Sequence, residues 1–185
     1  MAEKNIVDEL IIGNEVFVPF LTETVIQKRI VEIAEEINVD YKSKLPIIIG
    51  VLNGSFIFMS DLVKNITVQC EIDFFKLSSY GDSKISSGEV KLVKELNADI
   101  KERHVIIVED IVDSGLSIKF IEELMARFLP ASMKVVSLLM KPDSLKYKVN
   151  IDYIGFEIPN KFVIGYGLDY AQRYRNLRSI YMLKD

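Results

Sequence analysis

The densest run of reactive groups in this 185-residue chain is Glu109-Asp110-Ile111-Val112-Asp113-Ser114-Gly115-Leu116-Ser117. It offers three carboxylates and then two hydroxyls around a glycine. Two adjacent carboxylates resist burial, because an unpaired buried charge is costly. They are expected to face solvent, a cation or ligand hydroxyls. Ser114 to Ser117 lead into an amphipathic run, and the free N–H groups and dipole at a helix start make an anion site. Gly115 lets the backbone wrap closely, while Ser114 and Ser117 add donors. A sugar phosphate would satisfy both halves of the stretch. The alternative is an ordinary strand-to-helix loop with Asp113 or Ser114 as N-cap. The patterns GxxxxGK[ST] and GxGxxG are both absent. The chain therefore lacks the phosphate-binding signatures of P-loop nucleotidases and dinucleotide dehydrogenases.

These groups need elements to hold them. His104 to Val108 is the strongest strand candidate, and it delivers Glu109-Asp110 at its end. After the acidic loop, Ile118, Ile121, Leu124, Met125 and Phe128 share one side of a helix that Pro130 stops. Ile47 to Leu52 and Lys134 to Met140 are continuous apolar runs suited to strands buried on both faces. The first is followed by Asn53-Gly54-Ser55 and a helix over Phe56 to Val63. Upstream, Ile26, Ile30, Ile33, Ala34 and Ile37 form one helical face, with Thr22 as N-cap. Glu71 to Leu77, Glu89 to Leu96, Ile151 to Phe156 and Lys161 to Ile164 read as further strands. Ser78 to Gly88 reads as a long loop. Alternating strands and helices imply a parallel α/β sheet, and ligands of such sheets bind beyond the strands' carboxyl ends.

Composition narrows the function classes. Hydrophobic residues make up 49% and charged residues 27%, a globular balance at a length that suits about one domain. Net charge is −4, so no basic excess draws nucleic acid in through its phosphates. The single cysteine, Cys70, excludes an intrachain disulfide scaffold and is expected in the core. The single histidine, His104, excludes HExxH zinc chemistry; at a strand start it would lie opposite the ligand end. The N-terminus carries no signal-like apolar stretch and no run is long enough to span a membrane, so a cytoplasmic setting is expected.

Val108 to Ser117 resembles the phosphoribosyl-pyrophosphate (PRPP) motif of type I phosphoribosyltransferases. Other segments resemble the hypoxanthine-guanine members of that family. Val51-Leu52-Asn53-Gly54-Ser55-Phe56 is similar to their first loop, and Ser78-Ser79-Tyr80-Gly81 to the start of their mobile catalytic loop. Lys141-Pro142 sits where their purine-reading lysine sits. Gly155 to Pro159 and Phe162 to Tyr170 resemble their C-terminal purine and metal segment, which Arg173 to Leu177 continue. Together the five motifs cover most of the chain, in family order.

The resemblance implies an α/β fold: a parallel-sheet phosphoribosyltransferase core flanked by helices, with a small hood from the terminal segments, all of 1–185 being one domain. It implies transfer of phosphoribosyl from PRPP to hypoxanthine or guanine in purine salvage, with release of pyrophosphate. Asp113 would take or hold the proton at purine N7. Glu109 and Asp110 would bind the ribose hydroxyls and, through them or water, Mg²⁺. Ser114, Gly115, Leu116 and Ser117 would hold the 5′-phosphate. Asn53, Gly54 and Arg175 would contact pyrophosphate, the loop acting mainly through backbone N–H groups in an unusual peptide geometry. Lys141 would donate to the purine 6-oxo oxygen, Phe162 would stack on the ring, the Val163 backbone would meet its edge, and Ile111 would pack on the opposite face. Asp169, in the purine segment, would bind a second Mg²⁺. Ser79 and Tyr80 would lie on a closing lid. Asn53 stands where the family often has a basic residue, and Asn160 where an acidic one is common. A homodimer or homotetramer is implied, with no nucleic-acid or membrane partner. Two other readings remain at this stage: a PRPP-sensing regulator on the same fold, and a phosphoribosyltransferase for adenine or a pyrimidine. Net acidity, and Asp113, Lys141 and Asp169 together, weigh against the first. Lys141 with Phe162 and the Gly-Tyr-Gly-Leu-Asp segment weighs against the second.

Overall fold

The chain opens with two short strands, β1 (Leu10–Ile12) and β2 (Glu15–Leu21), and then a long helix, α1 (Glu23–Asp40). Thr22 caps α1 by accepting from the Val25 N–H at 3.4 Å, and the five predicted apolar positions are all buried. The computed structural model describes residues 9–79, 90–94 and 96–184, with 78–79 and 90–94 as backbone only. There follow β3 (Ile47–Leu52), α2 (Phe56–Asn65), β4 (Glu71–Ser79), β5 (Val90–Lys94), β6 (His104–Val112), α3 (Leu116–Ala126) and β7 (Ser132–Met140). The remaining strands are β8 (Tyr153–Glu157), β9 (Val163–Ile164) and β10 (Ile180–Leu183).

Six strands form the main sheet in the order β5-β4-β3-β6-β7-β8. All neighbours pair in parallel except the edge pair β4 and β5, which is antiparallel. The sheet is covered on both faces, which is why β3 and the first half of β6 are apolar without alternation. Ile48, Ile106 and Val108 pack with Ile26, Ile30 and Phe58 of α1 and α2. Ile47, Ile49 and Ile107 pack with Ile118, Ile121 and Met125 of α3. The parallel-sheet core flanked by helices is thus present.

A second, four-stranded antiparallel sheet, β1-β2-β10-β9, joins the N- and C-terminal segments. Its register shifts where Pro19 meets Tyr181, a position that tolerates a residue without an N–H. This is the hood that the family resemblance implied. Val163, Leu168, Ile180 and Met182 from this end of the chain share one buried cluster with α1, α2 and the main sheet.

Three sequence expectations need correction. β6 does not stop at Val108: Glu109, Ile111 and Val112 pair with Ser137, Leu139 and Met140 of β7, so both carboxylates ride on a strand and not a loop. Ser78 and Ser79 are strand residues, because Lys91 and Val90 of β5 pair with them. Of the expected loop and lid, Tyr80 to Gly88 lie outside the described residues. Finally, α3 ends at Ala126 and Phe128 is half exposed. Leu129 precedes Pro130, which disfavours helical backbone there, and it takes φ +52°.

Candidate active site

Three strand ends and one hood turn converge. β3 runs out into the Leu52–Asn53 peptide, which is cis, and then Gly54. Gly54 lies so close to β6 that a Cβ there would sit 1.7 Å from Asp110 Oδ2. Gly167, at φ +102°, lies against the same loop from the hood side, where a Cβ would be 2.1 Å from the Gly54 carbonyl oxygen. Only glycine fits either place. The Gly167 carbonyl accepts from Arg175 Nη1 at 2.8 Å, and Arg175 Nη2 pairs with Asp169 Oδ1 at 2.7 Å. Asp169 Oδ2 accepts from the Gln172 N–H at 2.8 Å. Asp110, Gly54, Gly167, Arg175 and Asp169 therefore form one connected group.

The two strand carboxylates are electrostatically stressed. Glu109 is only 6% exposed, and its Oε2 has no hydrogen-bond partner among the described residues. Burial, with the neighbouring Asp110 charge, holds its carboxyl well above the usual range. Asp110 is pushed up to about 6, chiefly by burial and also by Asp169, against the opposing pull of its own and Ile111's N–H groups and of Arg175. Of the environments expected for the two acids, open solvent is ruled out for Glu109, which leaves a cation or ligand hydroxyls. Its burial is tolerated because the neutral acid costs far less to bury than the carboxylate.

Asp113 behaves differently. Its side chain is 53% exposed and accepts from Lys141 Nζ at 2.8 Å, while the Lys141 side chain is 8% exposed. The pair spans the ends of adjacent strands β6 and β7. Asp113 is not the helix cap: Gly115, at φ +81°, occupies that position, and no side chain caps there. Ser114 Oγ accepts the Leu116 N–H at 3.3 Å. The Ser114 carbonyl accepts from the N–H groups of Lys146 and Tyr147 at 3.0 and 3.2 Å, which backs the loop from behind. The simple capping alternative therefore does not account for Asp113.

On the hood, Phe162 is 45% exposed and sits edge-on to Phe17 and Tyr170, with ring centroids 6.2 and 5.8 Å apart. Val163 beside it is buried, and Ile111 packs partly against the main core. Ser79 is placed only as a strand backbone, and Tyr80 lies outside the described residues.

The comparisons bear on the same segments. Residues 21–171 match the phosphoribosyl transferase domain model. The chain belongs to the phosphoribosyltransferase family. A hypoxanthine-guanine phosphoribosyltransferase of Bacillus subtilis is 46% identical over 164 residues, 89% of this chain and 91% of that one. One from Streptococcus pyogenes is 40% identical over the same shares. A solved hypoxanthine phosphoribosyltransferase of Staphylococcus aureus superposes with TM-score 0.85 at 42% identity, covering 90% of each chain.

In this phosphoribosyltransferase the expected residues Asp110, Gly54, Arg175 and Asp169 are brought into one group and Asp113 is paired with Lys141, while Phe162 packs on Phe17 and Tyr170. Among the described residues no three His, Cys, Asp or Glu groups are poised around one point, and the expected metal ligands stand in two places, Glu109 and Asp110 on β6 and Asp169 on the hood turn. Asp169 is engaged by Arg175. Phe17, which flanks Phe162, was not legible in the sequence, and Tyr170 was legible only as the end of the Phe162–Tyr170 segment, with no role of its own. Tyr166, likewise given no role, is 2% exposed at φ +52° between Gly165 and Gly167. The Gly-Tyr-Gly spelling was the available signal. His104, at the far end of β6, hydrogen-bonds Ser132 through Nδ1 at 2.8 Å, away from this site. Cys70 is half-buried at the edge of the main core, where burial raises its thiol.

Proposed function

We propose that this phosphoribosyltransferase joins hypoxanthine or guanine to PRPP, forming the nucleoside monophosphate and releasing pyrophosphate. The Asp113–Lys141 pair carries the reading. A 6-oxopurine presents O6 and N7 side by side on one edge. In the N7–H form of the base, O6 accepts and N7–H donates. An ammonium beside a carboxylate, 2.8 Å apart, complements that edge atom for atom. Adenine would set an amino donor against the ammonium. As N9 bonds to the anomeric carbon and the carbon–pyrophosphate bond breaks, the N7 proton passes to Asp113. The exposed carboxylate is free to meet the base, and the buried lysine is held for it.

The other roles follow the same geometry. Ser114 to Ser117 bind the 5′-phosphate at the α3 N-terminus. Asn53, Gly54 and Arg175 take pyrophosphate, and Glu109 and Asp110 take the ribose hydroxyls. Phe162 offers an exposed ring for stacking, Ile111 lies on the opposite side, and Val163 meets the base edge. Ser79 and Tyr80 belong to the lid. Mg²⁺ suits an all-oxygen set with surplus negative charge: an unpartnered buried Glu109 oxygen and an Asp110 raised by burial are both relieved by a cation. Glu109 and Asp110 would hold one ion, directly or through the ribose hydroxyls or water, and Asp169 a second, with few protein ligands each as is usual for Mg²⁺, and the ions would neutralise phosphate charge. The shared buried cluster of hood and core supports one phosphoribosyltransferase domain over 1–185. The reading carries a cytoplasmic setting and a homodimer or homotetramer. Among the described residues no helix is long and apolar enough to cross a membrane.

Steady-state turnover with hypoxanthine, guanine, xanthine and adenine tests this. Pyrophosphate release with hypoxanthine or guanine is expected, and Asp113→Asn is expected to lose ~10²-fold or more in kcat, the usual scale of a general base. An equally active Asp113→Asn enzyme would remove the proton-transfer role.

A further inference from the structure

Tyr166 is almost fully buried, yet the catalytic reading gives it no role. Its hydroxyl donates to Asp61 Oδ2 at 2.6 Å and accepts from Gln27 Nε2 at 3.0 Å. Gln27 Nε2 also donates to Asp61 Oδ2, at 2.7 Å, closing a three-membered ring of hydrogen bonds. Gln27 lies on α1, Asp61 on α2 and Tyr166 on the hood turn. Lys64 Nζ pairs with the other Asp61 oxygen at 2.6 Å.

The location gives this ring its consequence. α2 begins directly after Gly54, and its N-cap residue Ser55 is tied back to the Val51 carbonyl at 2.6 Å, so Gly54 and Asp61 belong to one rigid unit. The turn of Gly165, Tyr166 and Gly167 is another unit, with three successive residues at positive φ. It carries Asp169 and is clasped by Arg175. These two units meet at two points: Gly167 against the Gly54 carbonyl, and the Tyr166 hydroxyl on Asp61. One contact would leave a pivot. Two contacts fix an orientation.

We propose that Tyr166, held by Asp61 and Gln27, is a positioning residue that sets the Gly54 loop against the Gly167–Asp169–Arg175 turn, and so governs the pyrophosphate side of the PRPP site. This rests on the function proposed above. On the purine side, Asp113 and Lys141 are carried by β6 and β7, and Phe162 and Val163 are held by β10, so none of them depends on this contact. The two substrates should therefore respond unequally.

Tyr153 supplies the control. It is also buried, and its hydroxyl also donates to an aspartate, Asp40, but at the opposite end of the sheet. In Tyr166→Phe the KM for PRPP should rise by about 10-fold, the scale of a displaced binding group. The KM for the purine should stay within about 2-fold. Tyr153→Phe should leave both unchanged. Asp61→Asn keeps an acceptor for Tyr166 and should retain a near-normal KM for PRPP, whereas Asp61→Ala should match Tyr166→Phe. If Tyr166→Phe fails to fold, Gln27→Leu takes its place, with the same direction expected. Calorimetric titration with PRPP in magnesium buffer separates this idea from the reading beneath it. Weakened PRPP binding in Tyr166→Phe supports the positioning role even if no base is turned over. Binding equal to wild type, or equal rises in both KM values, overturns it.

Discussion

The two ends of the main sheet carry similar groups in opposite states. At the amino-terminal end, Asp40 accepts from Lys134 at 2.7 Å and from the Tyr153 hydroxyl, Lys134 also reaches Tyr153, and His104 meets Ser132. These charges are matched: hydrogen bonds from Lys134 and Tyr153 outweigh burial and hold the Asp40 carboxyl below its usual range. At the carboxyl-terminal end the Glu109 carboxyl has an orphan oxygen, Asp110 is pushed up to about 6, and an aromatic ring stands in solvent. Matched polar groups stabilise a fold, whereas unmatched ones cost stability and persist where a ligand completes them. The contrast is one of buried carboxylates, since the uncharged Tyr41 hydroxyl beside His104 also lacks a partner among the described residues and Asp113 is paired with Lys141.

The largest expected effect breaks the unmatched end sterically. Gly54→Ala places a methyl group where Asp110 already stands, so the loop or the strand must shift. A loss of about 10²-fold or more in kcat/KM is expected, because a misplacement near 1 Å costs on that scale. Circular dichroism should remain native, since β3 and α2 are held by their own buried faces. Full activity in Gly54→Ala would mean that the tight approach of Gly54 to Asp110 has no part in substrate binding.

How much of this was legible in the sequence depended on the range of the forces involved. α1 was readable to its cap and its buried face because Ile26, Ile30, Ile33, Ala34 and Ile37 share a helical period and Thr22 is a local acceptor. The acidic run stood out as a candidate because adjacent acids at a strand end conflict with a core, a conflict the structure retains at the buried Glu109. What escaped were the long-range consequences. The continuation of β6 to Val112 depends on pairing with β7, and Ser78–Ser79 are strand only because β5 lies alongside. The hood joins β2 to β10 across most of the chain, a pairing no local periodicity encodes. The Tyr166–Asp61–Gln27 ring escaped for the same reason: its members are far apart in sequence.

A pH measurement sharpens the comparison with opposite signs. Asp110 binds its proton more tightly folded than unfolded, so its contribution falls as pH rises from its ordinary value of 3.8 through about 6. Above that window the folded state carries the full penalty. Asp40, with a lowered carboxyl, contributes stability above 3.8 that is lost as pH falls through its folded value. In ligand-free protein at pH 7.5, Asp110→Asn should therefore raise Tm, and Asp40→Asn should lower it. For a chain of this size each kcal/mol moves Tm by about 2–4 °C. At pH 4 the gain from Asp110→Asn should largely vanish. Calorimetric melts at both pH values test this, and a loss of Tm in Asp110→Asn at pH 7.5 would contradict the idea of an unmatched carboxylate.

The smallest effect is expected at His104. A lone histidine invites a catalytic role, and the geometry denies it one. Its ring lies edge-on to Tyr41, with centroids 6.2 Å apart, and Nδ1 is bonded to Ser132 at the start of β7. Asp113 lies beyond the opposite end of the same strand, nine residues of β6 away. His104→Asn keeps a polar group beside Ser132 and loses only the ring contact, a change of about 1 kcal/mol. Tm should fall by a few degrees, while kcat and both KM values stay within about 2-fold, because no reacting atom is in reach. The pH–rate profile should also be unchanged, since the ring touches no reacting group. A flattened acidic limb in His104→Asn would show that the amino-terminal end of the sheet communicates with the reaction, and the division between a matched and an unmatched end would no longer hold.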